Sequence, residues 1–286
     1  MFRTSVSRSI MRTTFSPIFT LLILSISCFL SAQDYQDNLP SLKGKNIVYV
    51  HGGWEGHKPV ESVDLFVPKL KKEGANVKVF SDLSVYTNKQ LMDDTDLIIQ
   101  IWTMGEISDE QLKGLQRAII NGTGFSGWHG GVGDAFRENL MYQFMVGGQF
   151  LFHPGGKIDY RVNVIDHHDP ISQGIDDFEL KNTEQYYMLI DPNIKVLAIS
   201  EFVRDNYTNP EKDENILKGS TMPVVWKKNF GKGRIFYSSI GHNLTDFNVP
   251  EVISMQMRGF RWASAGKYAE KEALIYPTYN KDKKRP

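Results

Sequence analysis

The chain has 286 residues with 33 basic and 33 acidic side chains. It therefore carries no net charge that would draw it to nucleic acid or to an anionic membrane surface. Hydrophobic residues make up 41% and aromatic residues 12% of the sequence, which suits a large buried core and excludes a disordered chain.

Arg3, Arg8 and Arg12 give a basic start, Phe15 to Leu30 is mostly apolar, and Leu30-Ser-Ala32 ends in small residues before Gln33. That is the pattern of a secretory signal peptide over residues 1–32, and it predicts an exported, periplasmic protein. Ser25, Ser27 and Cys28 interrupt the apolar run and make it a poor span, so no integral membrane segment is expected in the mature chain. A lipid anchor on Cys28 is the competing reading. Ser25 three places before it and apolar Phe29-Leu30 after it fit that reading poorly. Cleavage after Ala32 leaves roughly 250 residues, the size of one large domain. Cys28 is the single cysteine, so the mature chain would have no disulfide and no thiol.

Residues 33–45 are polar and predict a loose lead-in. Asn46-Ile-Val-Tyr-Val50 predicts a central strand that runs into His51-Gly-Gly53. Between Glu55 and Lys72, Val60, Val63, Phe66, Val67 and Leu70 recur at helical spacing, with Gly74 as the stop. Pro68 is a local objection that would kink that helix. Asn76 to Phe80 alternates as a strand, and Asp96 to Trp102 reads as a buried one. Ser108 is the N-cap of a helix whose buried face is Leu112, Leu115, Ala118 and Ile119, and Asn121-Gly122 ends it. Gly124 to Trp128 is a short buried strand that breaks at His129 into Gly130-Gly131. That glycine pair is expected to carry positive φ, with a helical segment from Val132. Residues 46–146 thus read β-α-β-β-α-β-α, and runs apolar on both faces argue for a parallel sheet covered by helices. His51, Trp102 and His129 would then end strands along one carboxyl edge, where open α/β sheets bind ligands.

Beyond Gly147 strands dominate. Gln149–Phe152, Lys157–Ile165, Lys195–Ile199, Met222–Trp226 and Gly233–Ser239 are strand-like, with a hairpin turn at Phe230-Gly-Lys-Gly233. Residues 206–218 read as a surface loop, Pro250 to Ala263 as a helix, and 269–286 as a C-terminal tail that is solvated and frayed from Tyr276.

His129, His51 and His242 fall at or just past strand ends, and His57 sits at the expected start of the first helix. Any one of them is as readily a satisfied structural histidine. Together they suit acid–base work near neutral pH, or zinc held by imidazoles and a carboxylate with an open position. Glu184, in Thr183-Glu-Gln-Tyr186, is the carboxylate to pair with them, although its neighbours also suit a solvated loop. No His-Glu-x-x-His signature supports the zinc reading. Trp54, Trp128 and Tyr186 lie beside the glycine turns and are expected as walls for a sugar, whereas Trp102 reads as core. His153, His167 and His168 fall in turn-like sequence and read as loop residues. Gly52-Gly53 is not followed by Gly-Lys-[Ser/Thr], so no nucleotide phosphate cradle is expected there.

Several stretches, in order, resemble the ThuA-like (trehalose utilisation) family, which is related in fold to class I glutamine amidotransferases. They are Gly124-Phe-Ser-Gly-Trp-His-Gly-Gly131, Val146-Gly-Gly-Gln-Phe-Leu-Phe-His-Pro154, Thr183-Glu-Gln-Tyr186, Pro223-Val-Val-Trp226, and Gly231-Lys-Gly-Arg-Ile-Phe-Tyr237 through Gly241-His242. The resemblance implies a flavodoxin-like three-layer sandwich over residues 46–268, with a mostly parallel central sheet and extra β-structure in the C-terminal half. It implies a small carbohydrate as partner. In amidotransferases the strand-to-helix elbow carries a cysteine that a late histidine activates. Here His129 stands at the elbow and His242 near the late histidine, so thiol attack on glutamine is excluded. One departure is Asp169-Pro-Ile171, where the family usually has His-Pro-Ile; His168 is displaced by one.

The sequence thus leads to an exported carbohydrate-processing protein acting on a sugar or keto-sugar. His129, His242 and Glu184 would be its acid–base residues, with His51 or His57 as a further member. One rival is a non-catalytic sugar-binding module. The other is a hydrolase using a divalent metal such as zinc, with ligands from His129, His242, Glu184 and His57.

Overall fold

The computed structural model describes residues 1, 38–203 and 217–272. The expected signal peptide, Cys28, most of the expected 206–218 loop and most of the expected tail lie outside them. Among the described residues, no helix is long and apolar enough to cross a membrane.

The elements in chain order are β1 (Asn46–Gly53), α1 (Pro59–Lys72), β2 (Asn76–Phe80), α2 (Lys89–Asp94), β3 (Leu97–Thr103), α3 (Asp109–Ile120), β4 (Gly124–Trp128), α4 (Gly130–Gly133) and α5 (Leu140–Val146). After them come β5 (Gly148–Phe152), β6 (Lys157–Val164), β7 (Phe178–Glu184), β8 (Tyr187–Ile190), β9 (Lys195–Glu201), β10 (Thr221–Phe230), β11 (Gly233–Ser238) and α6 (Pro250–Ala263). Nine strands form one sheet in the order β2-β1-β3-β4-β11-β10-β9-β6-β7, and β5 pairs with β8 in a separate ribbon. The pairs from β2 to β11 are parallel, and those from β11 to β7 are antiparallel. The sheet is therefore parallel in its N-terminal part and mixed as a whole, with the expected extra β-structure laid on antiparallel.

The parallel part is built as its sequence requires. Each parallel step needs a crossover, and from β1 to β4 helices supply it. β2 and β3 lie on either side of β1, so their link must cross it. A short 3-10 turn over Leu83–Thr87 and α2 do this, and both were unexpected from sequence. α1 starts at Pro59, where a missing N–H costs nothing, and continues through Pro68. Pro68 is exposed, so the carbonyl it leaves unpaired faces water.

Helices cover both faces. On one face Phe66 of α1 meets Trp128 of β4 and Phe260 of α6. A Cβ on Gly124 would lie 2.3 Å from the Ala263 carbonyl oxygen, so glycine lets β4 touch α6. On the other face Gln100 of β3 donates to Tyr142 of α5 and accepts from Tyr86. A polar chain with every member paired is tolerated inside a core. The string Gly122-Thr-Gly-Phe-Ser-Gly127 has the literal spacing of a dinucleotide fingerprint, but from Gly124 it is strand and not a strand-to-helix turn.

Two further expectations change. Leu39 and Leu42, read as part of a loose lead-in, are buried in the core, and Arg261 donates to the carbonyls of Leu39 and Pro40. Residues 178–190, not among the strands expected from sequence, hold β7 and β8. In β7 Phe178 and Leu180 point inward while Glu179 and Lys181 point out. Asn182 then takes φ 49, and the register against β6 shifts between Ile158 and Tyr160. That irregularity breaks the alternation and buries both Thr183 and Glu184.

Candidate functional site

β4 ends at Trp128, and the next residue turns the chain. His129 adopts φ 46 and ψ −137, a conformation that costs a residue with a Cβ. Its neighbours hold it there: its N–H donates to the Ser238 carbonyl at 2.7 Å, and the Tyr237 hydroxyl donates to its carbonyl at 3.1 Å. The positive φ expected of the glycine pair thus belongs to His129 itself. Gly130 and Gly131 serve close approach instead. A Cβ on Gly130 would lie 2.5 Å from the His57 ring, and one on Gly131 2.8 Å from the Ile101 Cα.

His57 arrives from the end of β1 through a 3-10 turn over Glu55–His57. Trp54 N–H donates to the Thr103 carbonyl at 3.0 Å, and His57 Nδ1 lies 2.9 Å from Thr103 Oγ1. His242 follows β11 after Gly241, whose φ is 111. The loop it begins is tied to the end of β7. Thr183 Oγ1 donates to Asp246 at 2.7 Å, and the Asn243 side-chain amide donates to the Asn182 carbonyl at 3.0 Å. Those ties carry Glu184 up against the histidines.

The result is one compact cluster. His129 Nε2 lies 3.2 Å and His242 Nδ1 3.1 Å from Glu184 Oε2. The rings of His57 and His129 have centroids 4.6 Å apart, and each is 5.2 Å from that of His242. One donor atom from each of His57, His129, Glu184 and His242 falls within 4.8 Å of the others, and all four residues are buried. His129 Nδ1 donates to the Ser239 carbonyl at 2.8 Å. The His242 contact is short but off the N–H direction, so Nδ1 has no hydrogen-bond partner there.

Burial, reinforced by the other imidazoles, lowers the His57 pKa to about 2. Burial likewise lowers that of His129, against the pull of Glu184. Burial would raise the Glu184 pKa, but the imidazoles of His129 and His242 outweigh it and hold the carboxyl below its ordinary range. Burial thus favours the neutral form of His57 and His129 beside one carboxylate, and with His242 they make a cluster suited to binding a cation or moving a proton.

The surroundings sort the remaining expected residues. The half-exposed Trp54 ring makes a T-shaped contact with His57 at 4.7 Å. Tyr186 is buried and stacks on His129 at 3.9 Å, backing the ring rather than walling an opening. Trp128 was expected as a wall, but strand alternation points it into the opposite layer, against Phe66 and Phe247. His51, offered as an alternative to His57, lies outside the cluster, with a buried Nδ1 that finds no partner. Trp102 packs over Gly52, where a Cβ would lie 2.4 Å from its ring.

His153 was read as a loop residue, yet its Nε2 lies 3.8 Å from Glu184 Oε1. It is half-exposed and stands just past β5. The available signal was its place in Val146–Pro154, one of the stretches that carry the family resemblance. His167 and His168 are exposed. Asp169, the departure from the family pattern, is buried 2.8 Å from both Lys195 and Lys227. A cleft of about 850 Å³ lies at the amino ends of β1 and β2, lined among others by Asn46, Asn76, Asp93 and Tyr268. None of the cluster residues borders it.

The family model described as ThuA, trehalose utilisation, matches residues 46–263. No curated protein sequence matches the chain. A ThuA-like protein from Bacteroides uniformis superposes with a TM-score of 0.64 at 16% identity, covering 79% of this chain and 92% of that one. One from Parabacteroides merdae superposes at 0.61 with 18% identity, covering 80% and 93%. A glutamine amidotransferase from Thermotoga maritima aligns more loosely, at 0.44 with 10% identity over 76% and 96%. At these identities the likeness is one of fold alone.

Proposed function

The chain belongs to the ThuA family, linked to trehalose utilisation, and from that premise we propose that it is an exported carbohydrate-processing protein whose reactive centre is the buried His/Glu cluster. Export rests on the basic and apolar leader of residues 1–32, and a periplasmic location follows from it. One observation supports the centre above all: His129, Glu184 and His242, from three separate segments, meet within hydrogen-bonding distance. Packing alone seldom gathers buried imidazoles around one carboxylate, because each must give up water.

The substrate class is a sugar or keto-sugar. The exposed part of Trp54 gives a pyranose an apolar surface next to His57. His129 Nδ1 is committed to the Ser239 carbonyl, so Nε2 is the nitrogen free to act. With a histidine at the elbow instead of a cysteine, the chemistry is proton transfer next to a sugar carbonyl or glycosidic oxygen, not thiol attack.

The test is a panel of disaccharides and their keto forms, scored for binding by calorimetry and for turnover. The expected result is turnover of at least one of them, abolished in His129→Ala and in His242→Ala. Full turnover in either variant would remove the assignment. Binding with no turnover anywhere in the panel would make the protein a sugar-binding module instead.

A further inference from the structure

Resting on the reading of this cluster as the functional centre, we propose that His57, His129, Glu184 and His242 hold a divalent first-row transition metal ion, with zinc the first candidate. A carbonyl oxygen can only accept, so the 2.8 Å contact to Ser239 requires a proton on His129 Nδ1. A neutral His129 then turns the lone pair of Nε2 toward Glu184 Oε2 at 3.2 Å. Two electron pairs facing each other at that distance repel. Positive charge between them removes the conflict: a proton, on Nε2 or on the carboxyl oxygen, or a metal ion.

His242 sharpens the choice. Its Nδ1 lies 3.1 Å from the same oxygen, yet it is misaligned for a hydrogen bond and finds no other partner, although His242 is buried. A proton on His129 would leave that atom unsatisfied. An ion coordinated by both imidazoles and by Oε2 satisfies every one of these atoms. His57 adds the third imidazole. Its Nδ1 is occupied by Thr103 Oγ1, which leaves Nε2 for the cluster.

The distances agree. Ligands about 2.0–2.1 Å from a tetrahedral zinc stand roughly 3.3 Å apart, close to the 3.1 and 3.2 Å found here. The second partners are those that metal-bound histidines use: a backbone carbonyl on His129 and a hydroxyl on His57. Glu184 Oε1 faces His153 at 3.8 Å, so a single carboxylate oxygen points inward. An ion at this point would polarise a sugar oxygen or lower the pKa of a bound water, giving the imidazole-lined pocket a Lewis acid.

The test uses the full chain purified without an affinity tag. Elemental analysis should find about one equivalent of one transition metal per chain. Chelator-treated protein, shown to be folded by circular dichroism, should bind Zn²⁺ alone in calorimetry with a 1:1 stoichiometry and a raised Tm. His57→Ala and His242→Ala should each lose the bound metal, while Thr103→Val keeps the ligands and should weaken zinc affinity roughly 10- to 100-fold. Cobalt(II) should bind with a visible absorption band that moves in His242→Ala. If folded, chelator-treated protein binds none of Zn²⁺, Co²⁺, Ni²⁺ or Mn²⁺, the proposal is wrong. Metal content is read without any sugar, so failure of the carbohydrate reading would leave this result standing.

Discussion

The space beyond the Gly130 Cα is filled by the His57 ring, and this fixes what position 130 can be. Gly130→Ala forces a Cβ to 2.5 Å from that ring. Overpacking of this kind costs about 1–3 kcal/mol, and the ring must also swing away from His129. We expect a urea midpoint shifted down accordingly, together with loss of zinc binding. Unchanged binding would mean that His57 is not held by this contact. A second prediction concerns protons. Both His57 and His129 have folded-state pKa values below that of an unfolded histidine, about 6.5. Below about pH 6.5 the unfolded chain therefore binds more protons than the folded one, and stability falls with pH. Metal-free protein should lose urea resistance steadily between pH 7 and pH 5, with His57→Gln showing a shallower slope. A flat profile in the parent chain would contradict neutral buried imidazoles. At this scale the sequence was partly legible. His129 and His242 announced themselves by ending apolar runs. Glu184 was harder to read, because its burial depends on the irregular backbone at Asn182. His153 was missed because Pro154 and Gly155 next to it signal a turn and say nothing of what the turn faces.

Elements that repeat a strong period were legible in full. Ser108 and Gln111 form the capping box that starts α3, and the hydrophobic pattern behind them places the helix. β1, β3 and β4 are buried along most of their length because they are covered on both faces, and Gln100, Thr103 and Ser126 are the buried polar exceptions among the small and apolar residues there. α2 and the 3-10 turn before it were missed because they are short and bury only a few side chains. β7 was missed because its outer positions are charged and its pairing is irregular. The contact of α6 with the sheet offers a test at this level. A Cβ on Gly259 would lie 2.1 Å from the Phe236 ring. Gly259→Ala gains about 1 kcal/mol in helix propensity, but the clash costs about 1–3 kcal/mol. We expect net destabilisation in chemical denaturation. A variant at least as stable as the parent would show that α6 can lift off β11 freely.

Across the whole molecule, the antiparallel half is fastened by buried charge. Lys227 is fully buried, 2.8 Å from Asp169 and 3.0 Å from Glu272, with its ammonium over the Trp262 ring. Glu272 lies at the start of the expected C-terminal tail, before the stretch from Tyr276 that reads as frayed, and it is docked. Removing one partner of a buried pair costs about 3–5 kcal/mol, whereas apolar replacement of both is far cheaper. Asp169→Ala should lose about 3 kcal/mol, the low end of that range because Glu272 remains, and Asp169→Leu combined with Lys227→Met should recover much of it. Equal losses in the single and double variants would show that the charges are incidental. The sheet order carries a last consequence. β11, synthesised after every other described strand, is the one that lies between β4 and β10. A ribosome-arrested chain that stops before Gly233 therefore has two unjoined blocks, each with a raw apolar border where its keystone should slot. Such nascent fragments, more than any mature form, are what a chaperone would have to shield.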